Sequence, residues 1–474
     1  MEDAILKVVQ AINGYLGNYI LLFLLLGGGI YFSIKTRFVQ VRCFGEGMKN
    51  VFGNIKLKGE KAGKGMSSFQ ALATAIAAQV GTGNIVGASG AILAGGPGAI
   101  FWMWIIAFFG MSTIYVEAVL AQETRIVNED GTILGGPVYY IRRAFTGGFG
   151  KFLAGFFAVF AVIALGFFGQ MVQANSIGGN FENAFGIPAW VSGLVVAILM
   201  GVVIIGGISR LASVTEKIVP IMAVLYLIGG LIVIIARIKY LPQSIGMIFK
   251  YAFQPQAIIG GAFGYALKEA ITQGAKRGLF SNEAGMGSTP HAHAQAQVGK
   301  PHDQGVVAMI GVFIDTFVVL TMTALVVIST LYAGEGPLST VGGAAAAELS
   351  KNNMAQTAFS YVFGSFGGIF VAVCLFFFAF STMLGWNFFG QVNAEYLFGK
   401  GKASEIIYAL ISVACAFLGA CLYNDLVWEL QDMADMLIVL PNMLALLTLA
   451  GIAAKSAKEG ADVYKLAKEA GKKE

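Results

Sequence analysis

The sequence predicts an all-α polytopic membrane protein, and three observations carry that prediction. Of 474 residues, 57% are hydrophobic and 12% charged, which is more apolar surface than a soluble chain can bury and too little charge to cover a soluble exterior. Apolar stretches of the roughly 20 residues that a bilayer requires recur along nearly the whole length. The basic residues collect in a few connecting stretches, the asymmetry that sets orientation in a membrane chain, so the net charge of +5 is no sign of nucleic-acid binding.

Eleven crossings are expected, at residues 17–34, 67–94, 98–122, 151–176, 187–208, 214–236, 257–290, 304–333, 365–390, 404–422 and 425–454. The chain opens Met-Glu-Asp without a basic region, so the first span reads as a retained helix rather than a cleaved signal. Between the first two spans, Lys35, Arg37, Arg42, Lys49, Lys56, Lys58, Lys61 and Lys64 face only Glu46 and Glu60, which places that loop in the cytoplasm and the N-terminus outside. An odd number of crossings then puts the tail inside, where Lys455, Lys458, Lys465, Lys468, Lys472 and Lys473 agree with it. The four expected units are residues 1–66, 67–237, 238–454 and 455–474, in a multi-pass protein of the cell membrane.

The second span is interrupted at Gly81-Thr82-Gly83-Asn84. Two glycines cost a helix about 1 kcal/mol each relative to alanine, and a break at membrane depth leaves carbonyls and amides that cannot face lipid. They need a ligand, a cavity or protein partners, unless the glycines serve only close helix packing.

The seventh span is the most polar, with Lys268, Glu269, Lys276, Arg277 and Glu283 inside it, and it is interrupted at residues 281–287. With the first helix set aside, spans two to six and seven to eleven form two sets of five whose first members enter from opposite sides. Paired, inversely oriented broken helices point to a secondary transporter with its site at the repeat interface; the competing reading is a surface amphipathic helix followed by a polar loop.

Gly95-Gly96-Pro97-Gly98-Ala99-Ile100-Phe101-Trp102-Met103-Trp104, continuing to Gly110, resembles the signature of the alanine or glycine:cation symporter family. The Gly81–Asn84 break, Gly135-Gly136-Pro137 with Tyr139-Tyr140, and the run from Arg277 to Gly285 resemble further stretches of that family in the same order. The resemblance implies a leucine-transporter-like fold of 5+5 inverted helices with one extra N-terminal helix. It also implies import of alanine or glycine with Na+ as coupling ion, without another cofactor, nucleic acid or obligatory protein partner.

A zwitterionic substrate needs donors for its carboxylate and acceptors for its ammonium, and the ends of a broken helix offer both. The amides near Gly83 and Asn84, with Gly81 and Thr82, are expected at the carboxylate. Carbonyls around Ser281, Asn282 and Glu283 are expected at the ammonium, though the Glu283 side chain could equally pair with Arg277 or cap a helix. The resemblance makes the fourth span a pocket wall, with Phe168 as its apolar face and Gln170 as a polar contact, interhelical hydrogen bonding being the alternative for Gln170. Trp386, with Met383, would narrow the pocket. For the ion, the Phe378 carbonyl and the Ser381 and Thr382 hydroxyls lie at i, i+3 and i+4, so one helix face presents three oxygens; these hydroxyls could instead bond only to their own turn. The resemblance adds the carbonyls of Ala77 and Val80.

Other polar residues are expected to do less. His291 and His293 are two apart and make a poor metal pair at the cytoplasmic edge, and Glu117 is expected at the inner end of the third span without a transport role. Residues 337–364 read as an outer hairpin. Cys43, Cys374, Cys415 and Cys421 lack metal-ligand spacing and read as small hydrophobes. No nucleophile elbow, zinc pair or phosphate loop is present, so an enzyme is not expected. A proton-coupled or uncoupled permease is the alternative, but the lysine such a protein could place at the ion site has no mid-membrane counterpart, since Lys217 falls near the end of the sixth span.

Overall fold

The computed structural model describes residues 2–53, 65–129, 131–205, 207–254, 263–339 and 349–470. Lys56, Lys58, Glu60, Lys61 and Lys64 of the basic loop, residues 257–262 of the seventh span, 340–348 of the outer hairpin, and Lys472 and Lys473 lie outside them.

Among the described residues, eight helices are long and apolar enough to cross a membrane: Glu2–Lys35, Ala99–Thr124, Gly147–Phe185, Arg210–Ala236, Pro301–Tyr332, Ser365–Phe398, Lys402–Cys421 and Asn424–Gly460. The pair Ser68–Gln79 and Gly83–Gly95, bent by 44°, passes the same test as one broken span and makes a ninth. The two other expected crossings fall on Ala189–Ile204, apolar but 16 residues long, and on Phe263–Asn282, 20 residues long but carrying four charges. Length and composition therefore support nine crossings among the described residues. The first helix also begins at Glu2, well before the expected residue 17, because its apolar positions recur at helical spacing from Ile5 onward.

Burial sorts these helices into a centre and a rim. The apolar stretch of Ser365–Phe398 is 72% buried and that of Ala99–Thr124 67%, whereas Lys402–Cys421 reaches only 28%. The rim helices turn Val195, Ile198, Ile221, Ile228, Ile407 and Leu410 outward, the apolar exterior that lipid rather than water would cover.

Two interrupted segments meet in the middle. The first starts from a capping box, in which Ser67 Oγ accepts from the Gln70 amide and Gln70 Oε1 from the Ser67 amide, both at 3.1 Å. It stops at Val80, whose ψ of 87° leaves the helical region, and resumes at Gly83. The second runs through Phe263–Asn282, breaks at Glu283 (φ 58°), Gly285 (φ 93°) and Gly287 (φ 81°), and resumes as Pro290–Gln295. Met66 and Ser67 pair in a short parallel ladder with Ala296 and Gln297. The first segment leaves that ladder as the second arrives at it, and Pro290–Gln295 packs on Ser68–Gln79 as Phe263–Asn282 packs on Ala88–Gly95. The two segments therefore run antiparallel, break beside break.

The orientation expected from charge is testable on native chemistry. Cys421 is exposed at the end of its helix and should react with an impermeant maleimide in intact cells. Lys402→Cys, at the other end of that helix and made in a Cys421→Ser background, should react only after permeabilisation; the reverse pattern inverts the topology.

Candidate functional site

Four of the five residues expected around an ion come together where the helix Ser365–Phe398 crosses the first half-helix. Thr382 Oγ1 lies within hydrogen-bonding distance of the carbonyls of Ala77 (2.9 Å), Phe378 (3.1 Å) and Ala78 (3.2 Å). Ser381 Oγ lies 2.9 Å from Phe378 O and 3.4 Å from both Ala77 O and Met222 Sδ. The hydroxyls do bond to their own turn, as the structural alternative had it, and they also reach across to Ala77. Val80 sits at the turn with its amide on Ile76 O at 2.7 Å, and its carbonyl makes no hydrogen bond to this group. A Cβ on Gly81 would stand 2.2 Å from Thr382 Oγ1, so glycine is required for this approach. The cluster is a buried set of neutral oxygens, suited to a weakly held monovalent cation.

A carboxylate that sequence reasoning passed over joins the two breaks. Asp315, fully buried in the eighth span, accepts Asn84 Nδ2 at 2.6 Å, Ser281 Oγ at 2.9 and 3.0 Å, and Thr316 Oγ1 at 2.8 Å. No cation lies on it among the described residues. Its signal was legible, because an acid inside an apolar run is by default a functional residue. Asn84 also turns Oδ1 back onto the Gly81 amide at 2.9 Å, and Gln173 Oε1 lies 3.4 Å from the Thr82 amide. Two of the amides expected to face a carboxylate are thus capped from within. Gly83 touches the other break, since a Cβ there would lie 3.0 Å from Ser281 Cα.

Beside these contacts lie polar atoms with no partner. Gln170 Nε2 donates to the carbonyls of Leu165 (2.8 Å) and Met383 (3.2 Å), which realises the interhelical alternative, yet its Oε1 is buried and unbonded. Thr82 Oγ1, Gln79 Oε1 and Gln173 Nε2 are likewise buried without partners. Such atoms cost about 1–3 kcal/mol each when left unmet, and both donors and acceptors are among them. Gln79 Nε2 holds Asn282 O at 2.8 Å, so that carbonyl is already occupied. Phe168 is only partly buried, and it is the adjacent Gly169 that meets Trp386, where a Cβ would lie 2.2 Å from the indole.

Glu283 takes neither role weighed for it. Its carboxylate accepts Trp386 Nε1 at 2.6 Å and the Ser288 hydroxyl. Arg277 instead forms a bidentate pair with Asp432 at 2.7 and 3.0 Å and lies over the Trp428 ring. Trp386, Phe280 and Trp428 follow one another in edge and tilted contact at 5.5 and 4.9 Å, an aromatic layer topped by that ion pair. Glu117, expected to have no transport role, is fully buried and accepts the amides of Gly285 (3.2 Å) and Gly287 (3.0 Å) and Asn442 Nδ2 (2.7 Å). His291 and His293 are also fully buried, bonded to Asn393 and Gln304 at 2.9 Å each.

Two broken helices side by side inside a multi-pass helical bundle, with buried polar atoms left unmet, are the architecture of a membrane transporter. Comparison with known proteins sharpens the class: the model of the "Sodium:alanine symporter family" matches residues 2–474. The "Sodium/alanine symporter AgcS" of Methanococcus maripaludis is 39% identical over 97% of this chain and 98% of its own length. An "Uncharacterized transporter" of Haemophilus influenzae is 40% identical over 96% and 95%, and the "Amino-acid carrier protein AlsT" of Bacillus subtilis 35% over 98% and 95%. The chain belongs to the sodium:alanine symporter family and is a transporter, not an enzyme.

Glu117 supplies a prediction about the second break. Glu117→Ala strips a buried acceptor from three donors, so detergent-solubilised protein should lose about 2–4 kcal/mol. Glu117→Gln, which retains one acceptor oxygen, should lose less. Equal thermal unfolding temperatures for both variants and the parent would mean that the carboxylate does not hold the break.

Proposed function

We propose that the chain imports small neutral amino acids, alanine and glycine, together with Na+ by alternating access. The reading takes all eleven expected helices as crossings, with the N-terminus outside and the C-terminus in the cytoplasm. Helices from 67 to 237 and from 238 to 454 form a leucine-transporter-like 5+5 inverted repeat, and Glu2–Lys35 stands outside it. The antiparallel course of the two broken segments supports that arrangement, and family membership supports the substrates.

The observation that carries the reading is the convergence of Ala77 O, Phe378 O, Ser381 Oγ and Thr382 Oγ1 from two helices. All four are neutral oxygens, and the sixth span delivers Met222 to them while Lys217 is exposed, so no ammonium competes for the place. The Val80 carbonyl would complete the ion's shell. The substrate would lie between the breaks, its ammonium toward Gln170 Oε1 and Gln79 Oε1 and its carboxylate toward Gln173 Nε2 and Thr82, closed in by Trp386.

One observation favours a second reading, in which protons supply some or all of the drive. Asp315 and Glu283 are buried carboxylates without cationic partners among the described residues, and an intramembrane acid can carry a proton across a transport cycle. Proteoliposomes separate the two: an inward sodium gradient should concentrate alanine, whereas uptake driven equally well by a pH gradient without sodium would establish the second.

The ion and substrate sites are separable by mutation. Removing both hydroxyls, Ser381→Ala with Thr382→Ala, should weaken sodium binding steeply and alanine binding only through linkage, about 1–3 kcal/mol or roughly 5- to 150-fold. High sodium should then restore part of the alanine binding. Gly83→Val drives a β-branched side chain into Ser281, so its loss of alanine binding should persist at any sodium concentration. An unchanged sodium dependence in the double mutant would show that the hydroxyls are structural.

A further inference from the structure

Away from both breaks, Cys43, Glu46 and His302 form a buried cluster, with exposures of 2%, 6% and 2%. One ligand atom from each lies within 4.8 Å of the others. Cys43 caps the start of the helix Phe44–Phe52 and Glu46 stands three residues on, so thiol and carboxylate share one helix face. His302 opens the eighth span from the opposite side. The geometry points to a zinc-type divalent metal site with Cys43 Sγ, Glu46 Oε1 and His302 Nε2 as ligands.

The bonding of the cluster asks for a cation. His302 Nε2 and Glu46 Oε1 face each other at 3.2 Å, yet Nε2 has no hydrogen bond and Glu46 Oε2 has no partner at all. An ordinary imidazolium–carboxylate pair would be hydrogen-bonded across that gap. The Tyr115 hydroxyl engages the other ring nitrogen, Nδ1, at 2.7 Å; with Nδ1 as the donor, Nε2 would have a lone pair free to ligate. Outer hydrogen bonds of this kind orient the histidines that ligate metals.

Size and charge fit the same ion. Tetrahedral zinc with nitrogen and oxygen bonds of about 2.0–2.1 Å separates those two atoms by roughly 3.3 Å, and its sulfur bond of about 2.3 Å puts the thiolate some 3.6 Å from each. The first spacing is already present, and the sulfur needs a shift of little more than an ångström at most. A thiolate and a carboxylate sum to two negative charges, which a divalent ion cancels, leaving a neutral buried site. Mixed sulfur and imidazole ligation favours zinc over magnesium or calcium. Arg42 donates to the carbonyls of Thr36 (3.2 Å) and Ala457 (3.2 Å) rather than to the cluster. Exposed Gly45 and Arg42 beside the ligands leave the site one residue deep, within reach of solvent. Water is the fourth ligand.

The test uses the full chain in detergent, stripped with chelator and titrated with Co2+ as the spectroscopic stand-in for zinc. The parent should develop a thiolate-to-cobalt charge-transfer band with the strong visible absorption of a tetrahedral site, and zinc should displace it. Cys421→Ser should leave the band unchanged. Outer-shell partners alone are worth about 10- to 100-fold in affinity, so Tyr115→Phe should weaken binding by about that much, and Cys43→Ser or His302→Gln by at least about a hundredfold. The parent's spectrum does not depend on how well any variant folds. No band from the parent, a band that survives Cys43→Ser, or one lost in Cys421→Ser would overturn the site.

Discussion

Everything at the centre of this molecule depends on one constraint: two helices stop inside an apolar bundle, and the backbone groups they leave must be satisfied without water. Each free end would otherwise cost several kcal/mol. Two buried carboxylates from unbroken helices serve the breaks, Glu117 by taking backbone amides and Asp315 by tying together side chains on either side. Asp315 gathers Asn84 from one break and Ser281 from the other, so the breaks are tied to each other as well as to the eighth span. Glu117 takes the amides of Gly285 and Gly287 and, through Asn442, anchors the second break to the helix Asn424–Gly460. A charge with several donors around it is stable in such surroundings, and removing its donors or the charge alone is not.

In the proposed reading, that arrangement lets ion and substrate share one free energy. The Ser381 and Thr382 hydroxyls hold the ninth span to the end of the first half-helix through Ala77 O. A cation taken by the same oxygens would turn the hydroxyl lone pairs inward and replace weak neutral bonds by attraction to a charge, stiffening the contact just before the break. Four residues further on the break begins at Gly81, and the unpartnered Thr82 hydroxyl follows it. Order gained at one place lowers the cost of ordering the other, and coupling of this kind is reciprocal.

Much of this was legible in the sequence because the signals are local. Glycine pairs flanked by Thr and Asn mark the first break, Ser281 to Gly287 mark the second, and the i, i+3, i+4 spacing of Phe378, Ser381 and Thr382 marks an oxygen face. Illegible features depend on pairing between distant segments. The bond of Arg277 to Asp432 rather than Glu283, the burial of Glu117, and the internal capping of the Gly81 and Thr82 amides all need the packed bundle. Asp315 is the exception, since its place in an apolar run was visible and its meaning was missed.

The same distinction explains where cysteine arithmetic falls short. Spacing rules detect metal sites whose ligands sit close together in the chain, and Cys43 with Glu46 alone gives two ligands of unlike type, which no motif records. The third ligand arrives 256 positions later, from the start of another span. A bundle that packs the helix Phe44–Phe52 on Pro301–Val312 and the latter on the C-terminal helix, where a Cβ on Gly460 would stand 2.1 Å from the His302 ring, needs no local pattern to assemble such a cluster. In a membrane protein the interior is built from side chains on facing helices, so chemistry there is specified by which faces meet, and only the face, not the meeting, is written in sequence order.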